Sequence, residues 1–152
     1  MKDIIFKTAI AFGNETLTKF ESFYEITYTS GETVLTKAKS FVSYGNPNPE
    51  DDVLTQETIN QIQSIYLSSI DVLIDSLDIP EGATFVMHKM RVEDYDLDGD
   101  VDKIESYYSY IHDDLEYKQS KVINDLLSPE LITSIESLFD YGRELIKTRE
   151  GI

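Results

Sequence analysis

The sequence predicts a two-layer α+β domain: an antiparallel sheet of about five strands with two amphipathic helices packed on it. Three observations carry that expectation. Two stretches repeat apolar residues every three or four positions, Ile59, Ile62, Tyr66, Ile70, Leu73 and Leu77 in one and Ile132, Ile135, Leu138, Phe139, Leu145 and Ile146 in the other. That is the period of a helix with one buried face. Several shorter stretches alternate apolar with polar residues, the period of a half-buried strand. The chain has 152 residues, 41% of them apolar, which suits one domain with one core, spanning 1–152.

Taken in order, residues 4–12 alternate, with Ile4, Phe6, Thr8, Ile10 and Phe12 on one face. Gly13-Asn14 turns the chain into a second strand through Phe20, Tyr24, Ile26 and Tyr28, and Ser30-Gly31 closes a hairpin onto a third, over 33–44. Two prolines, a glycine and three acids within residues 45–52 then force a loop. The first helix is expected over 55–78, with Thr55 as its N-cap, Glu57 in the positive first turn, and Pro80 and Gly82 to end it. Alternation returns through Thr84, Val86, His88, Met90 and Val92, and after an acidic loop a Tyr-rich stretch makes another strand. The last helix is expected over 129–148, capped by Ser128, with Pro129 where a missing N–H costs nothing and Lys147 and Arg149 in the negative last turn. Both helices begin with Leu, a hydroxyl cap and an early Glu, which suggests a tandem ββα repeat over about 17–79 and 83–150 behind an extra first strand.

Composition bounds the function. Twenty-nine acids against 13 bases give a net charge of −16, and there is no cysteine. Disulfides, thiolate nucleophiles and Cys-type zinc sites are therefore excluded. Such a surface repels phosphates at long range, so direct nucleic-acid and anionic-membrane binding are not expected. No stretch reaches a membrane span, and the start lacks the apolar run of a secretory signal, so a cytoplasmic protein is expected, with a virion part as the alternative. No His-Glu-x-x-His pair, phosphate-binding Gly-rich loop or Gly-x-Ser-x-Gly elbow occurs. No catalytic residues are assigned. His88 and His112 read as structural, and a small hydrolase is the least favoured reading.

One motif carries specific chemistry. In Asp94-Tyr95-Asp96-Leu97-Asp98-Gly99-Asp100-Val101-Asp102-Lys103-Ile104-Glu105, acids stand at positions 1, 3, 5 and 9, Gly at 6, an apolar residue at 8 and Glu at 12. Calcium takes six to eight oxygens, so Asp94, Asp96 and Asp98 would supply carboxylates around a turn that Gly99 permits. Asp100 would offer its carbonyl, Asp102 would act directly or through water, and Glu105 would close the sphere with both oxygens. The twelve residues resemble the DxDxDG loop of the EF-hand family. The flanks differ: Lys89, Glu93, Ser106, Ser109 and Asp113 stand where flanking helices would bury apolar residues. A similar loop lies between strands in FG-GAP-like repeats, and strand, loop, strand fits residues 86–110 better.

Charge patterning adds a second candidate. Residues 93–116 hold ten acids and one base, Lys103, or −9 in 24 residues, with Tyr107, Tyr108 and Tyr110 among them. Carboxylates mixed with aromatics offer a phosphate-like field with rigid anchors, suited to a basic protein surface. Tyr107, Tyr108, Tyr110, Asp113, Asp114 and Glu116 are the expected contacts. Small, acidic, cysteine-free chains are similar in composition to phage anti-defence inhibitors, including anti-CRISPR proteins and other DNA mimics, and to immunity proteins that neutralise nucleases. That resemblance implies a non-enzymatic binder of a basic nucleic-acid-binding protein or nuclease. The competing expectation is a calcium-ordered structural or adhesion module, in which the loop matters and the field does not.

Overall fold

The computed structural model describes residues 2–45, 54–96 and 100–152. Strands β1 (Lys2–Phe12), β2 (Lys19–Ser30) and β3 (Thr33–Tyr44) lead into helix α1 (Gln56–Ser76), and β4 (Thr84–Glu93), β5 (Lys103–His112) and β6 (Leu115–Val122) lead, through a short 3₁₀ turn, into α2 (Pro129–Glu150). The six strands form one antiparallel sheet in the order β3-β2-β1-β4-β5-β6. Both helices pack on the same face. A helix placed on one side of an antiparallel sheet buries its apolar stripe while the other side stays wet, so this two-layer arrangement satisfies the pattern.

The α+β expectation holds, with two differences. The sheet has a sixth strand, β6, and each helix follows a three-stranded meander rather than a strand pair. The two meanders meet at β1 and β4 in the middle of the sheet. In each, the first strand carries one irregularity against the second, between Phe6 and Thr8 in β1 and between Met87 and Lys89 in β4.

Those bulges overturn the simple alternation. An extra residue moves everything beyond it to the opposite face. In β1, Ile4 therefore faces the helices together with Ala9 and Ala11, whereas Ile10 lies opposite Glu21 and Arg91 on the helix-free face. In β4, Met87 and Met90 both point into the core, and His88 is the residue left over between them.

The helix stripes lie where their spacing puts them. Ile59, Ile62, Tyr66, Ile70 and Leu73 of α1 are buried, as are Ile135 and Ile146 of α2, with Ile132, Leu138 and Phe139 packed against the same cluster. Thr55 and Ser128 cap the two helices by accepting from Thr58 and Leu131 N–H, and α2 ends on Gly151 in the left-handed conformation. The Tyr66 hydroxyl donates to the Gly13 carbonyl at 2.6 Å, tying α1 to the β1–β2 turn. Gly13 itself is required there: at φ 144° a Cβ would stand 1.9 Å from the Thr16 carbonyl oxygen.

The helix-free face is laced with ion pairs. Lys7–Glu25 (2.5 Å), Lys19–Glu21 (2.9 Å), Arg91–Glu93 (3.4 Å) and Lys103–Glu105 (3.3 Å) all lie on it. Lys19 and Lys89 also lie over the rings of Phe12 and Tyr107. Five of the 13 bases are thus gathered on one face, paired, and the surplus of acid falls elsewhere.

Candidate metal loop and acidic hairpin

The loop at 94–102 joins the central strand β4 to β5, and backbone hydrogen bonds clamp both its ends. Asp94 N–H donates to the Lys7 carbonyl at 2.9 Å, and Asp102 N–H to the Glu93 carbonyl at 2.9 Å. Strand, loop, strand is therefore the local structure, not helix-loop-helix. Within the loop the Asp102 carboxylate accepts from Tyr95 N–H at 2.6 Å and from Asp96 N–H at 3.4 Å, folding the chain back on itself. Asn124 donates to the Asp102 carbonyl from the 3₁₀ turn at 3.4 Å.

This folding brings three acids together. Asp94, Asp96 and Asp102 each place a carboxylate oxygen within 4.8 Å of the others, with Asp94 buried, Asp102 half-buried and Asp96 exposed. Three carboxylates at that separation repel one another, and a cation among them relieves the repulsion. The cluster can hold a metal ion. Of the other expected ligands, Asp98 and the turn glycine Gly99 lie outside the described residues, and Asp100 is exposed. Glu105 lies apart from the three. One of its oxygens accepts from the Tyr107 hydroxyl and the other pairs with Lys103. The Tyr107 hydrogen bond, followed by Lys103, holds the Glu105 carboxyl below the usual carboxylate range.

The acidic stretch is continuous in sequence but divided in space. Its loop end and the Asp113-Asp114 turn lie at opposite ends of β5, ten residues long, roughly 30 Å apart at about 3.3 Å per residue. Tyr107 lies on the helix-free face beneath Lys89. Tyr108, on the other face, is only 6% exposed, with its ring stacked on Phe85 in the core. Tyr110 stacks on Tyr117 at 4.9 Å near the turn. The structure thus gathers Tyr110, Asp113, Asp114 and Glu116 at the β5–β6 tip and places Tyr107 and Tyr108 elsewhere.

Charge patterning overlooked one region. Between Lys39 and Lys89 there is no Lys or Arg and there are eight acids, a signal as plain as the one at 93–116. That segment supplies α1 and its flanks. Each histidine has a neighbour within reach: His88 Nε2 lies 2.6 Å from Ser109 Oγ, and His112 Nδ1 lies 3.5 Å from Asp113. Ser109 is fully buried, so its hydroxyl is closed to a substrate. Among the described residues, no helix is long and apolar enough to cross a membrane.

Compared with protein-family models, curated proteins and solved structures, the chain matches none.

Proposed function

We propose that the protein is a non-catalytic binding module whose β4–β5 hairpin is ordered by calcium. The observation that carries this is the convergence of Asp94, Asp96 and Asp102 in a loop whose ends are clamped to the two central strands. The donor set is all oxygen, which suits a hard cation, and the sequence spacing of the acids suits calcium's larger, more flexible sphere better than magnesium's strict octahedron. The sequence motif offers Asp98 and the Asp100 carbonyl as further oxygens. Glu105 would join only by leaving Tyr107 and Lys103, so affinity is expected to be weak, on the order of 10⁻⁴ to 10⁻³ M. The ion neutralises clustered charge and fixes the hairpin. Calcium titration followed by amide chemical shifts tests this: saturable shifts at 93–103 with little change at 110–117 support it. Uniform, non-saturating shifts along the acidic surface contradict it.

A second reading is supported by the far end of the same hairpin. Asp113 and Asp114 both adopt left-handed backbone, φ 52° and 63°, in a two-residue turn between His112 and Leu115, with Glu116 next along β6. Leu115, 58% exposed, and the partly exposed Tyr117 flank them. An acidic tip with apolar anchors suits a basic protein partner such as a nuclease, the inhibitor role that the composition implies. Charge reversal at both aspartates should slow association with such a partner and flatten its salt dependence, leaving the loop's calcium response intact.

A further inference from the structure

Beneath the helix pair lies an apolar cavity of about 70 Å³, walled by the inner face of the sheet and by both helices. Small residues stand among its large apolar ones: Ala9, Ala11 and Ser22 on the sheet, Ser69 on α1 and Gly142 on α2. Protein interiors close-pack to crystal-like density, so a void of this size at the centre of the only helix-covered face is a departure from the rule. Its walls are almost wholly hydrocarbon. The Ser69 hydroxyl is already turned to the Ile65 carbonyl at 2.8 Å. Such an apolar space accepts apolar groups; about 150 Å³ suffices for a benzene ring, so this one suits the end of a short alkyl chain.

Directly outside it, α1 and α2 form an open groove of about 690 Å³, and Thr58, Ile65 and Leu138 line both spaces. Those three side chains are common to groove and cavity. The groove is more polar than the cavity: Ser64, Ser134, Ser137, Tyr141 and Gln61 bring hydroxyl and amide groups to it beside the hydrocarbon of Ile65 and Leu138, and Glu57 is its sole charge among the described residues. Among the described residues no lysine or arginine lines it, in a protein of net charge −16. An anionic headgroup would therefore be repelled without compensation, whereas a polyol finds both donors and acceptors.

We infer that the helix pair and sheet bind a neutral amphiphile, its short alkyl end in the cavity and its uncharged polyol head in the groove. This does not rest on the calcium loop. The test uses 1-octanoylglycerol, below its critical micelle concentration, with octanoate as the anionic probe of equal chain length. Titration calorimetry should give saturable one-to-one binding of the glyceride and at least tenfold weaker binding of octanoate. Amide shifts should appear at Ala9, Ala11 and Ser22. Ser69→Leu, which fills the void, should lower affinity at least tenfold while the melting temperature holds or rises. Gly142→Ala, a single methyl that also favours the helix, gives a milder version of the same loss should the leucine not fold. No saturable binding by the wild type, equal affinity for octanoate, shifts confined to the exterior, or a folded filled variant that binds unchanged would overturn the assignment.

Discussion

Lys39 on the edge strand β3 and Glu150 in the last turn of α2 meet at 2.8 Å across 111 residues of sequence. Their pairing fastens the end of the second helix to the far strand of the first meander. The Lys39 ammonium holds the Glu150 carboxyl below its ordinary range, and Glu150 in turn raises Lys39.

The sign of the resulting pH dependence follows from linkage. Glu150 binds its proton less readily folded than unfolded, so its contribution is present above the unfolded value, near 4.5, and is lost as pH falls through the lowered folded value. Both groups are partly exposed, so the effect is small and salt-sensitive. Denaturant melts of wild type and Glu150→Gln should differ at neutral pH and converge below pH 4. A constant difference across that range would mean the pair contributes nothing through charge.

Leu73 and Ile74 are neighbours on α1 with opposite fates, fully buried against 39% exposed. Leu73→Ala removes a fully buried side chain from the core cluster and should cost about 2–5 kcal/mol. Ile74→Ala should change stability by about 0.5 kcal/mol or less. Urea unfolding of the two variants checks this, and similar losses in both would show that α1 is rotated on the sheet.

The β5–β6 turn holds two aspartates in a conformation that glycine and asparagine adopt more readily. Asp113→Asn with Asp114→Gly should therefore stabilise the hairpin by about 0.5–1.5 kcal/mol. Amide exchange along β6 reads it. Unchanged or faster exchange would argue that the turn's backbone is not as strained as its φ angles imply.

What was legible in the sequence was whatever rests on local periodicity. Ile59 to Leu73 and Ile135 to Ile146 repeat at helical spacing and are capped by hydroxyls, so both helices and their inner faces could be read directly. Strand β6 could not: Leu115, Glu116, Tyr117 and Lys118 are exposed on both faces at the sheet edge, and no buried face imposes an alternation there. The bulges at β1 and β4 were equally hidden, because one extra residue leaves the local pattern intact and shifts only what lies beyond it. That is why Ile10 was grouped with Ile4 although they face opposite ways. In the loop, Asp94, Asp96 and Asp102 converge through a backbone turn encoded by adjacent residues. Glu105 is different, since its position follows from the β4–β5 register, which sets it between Lys103 and Tyr107.

Thermal unfolding as a function of calcium concentration tests calcium binding by the loop at 94–102. An ion that binds only the folded chain stabilises it by about 1.4–2.7 kcal/mol at ten to a hundred times its dissociation constant, a rise of roughly 3–10 °C in Tm for a domain of this size. That rise is expected in the wild type, linear in the logarithm of calcium concentration at saturation. Asp102→Asn, which weakens a ligand of the three-carboxylate cluster, should abolish most of it. Glu105→Gln should diminish it less, since that carboxylate is already engaged by Tyr107 and Lys103. A Tm that does not move at 10 mM calcium, or that moves equally in the wild type and in Asp102→Asn, would contradict it.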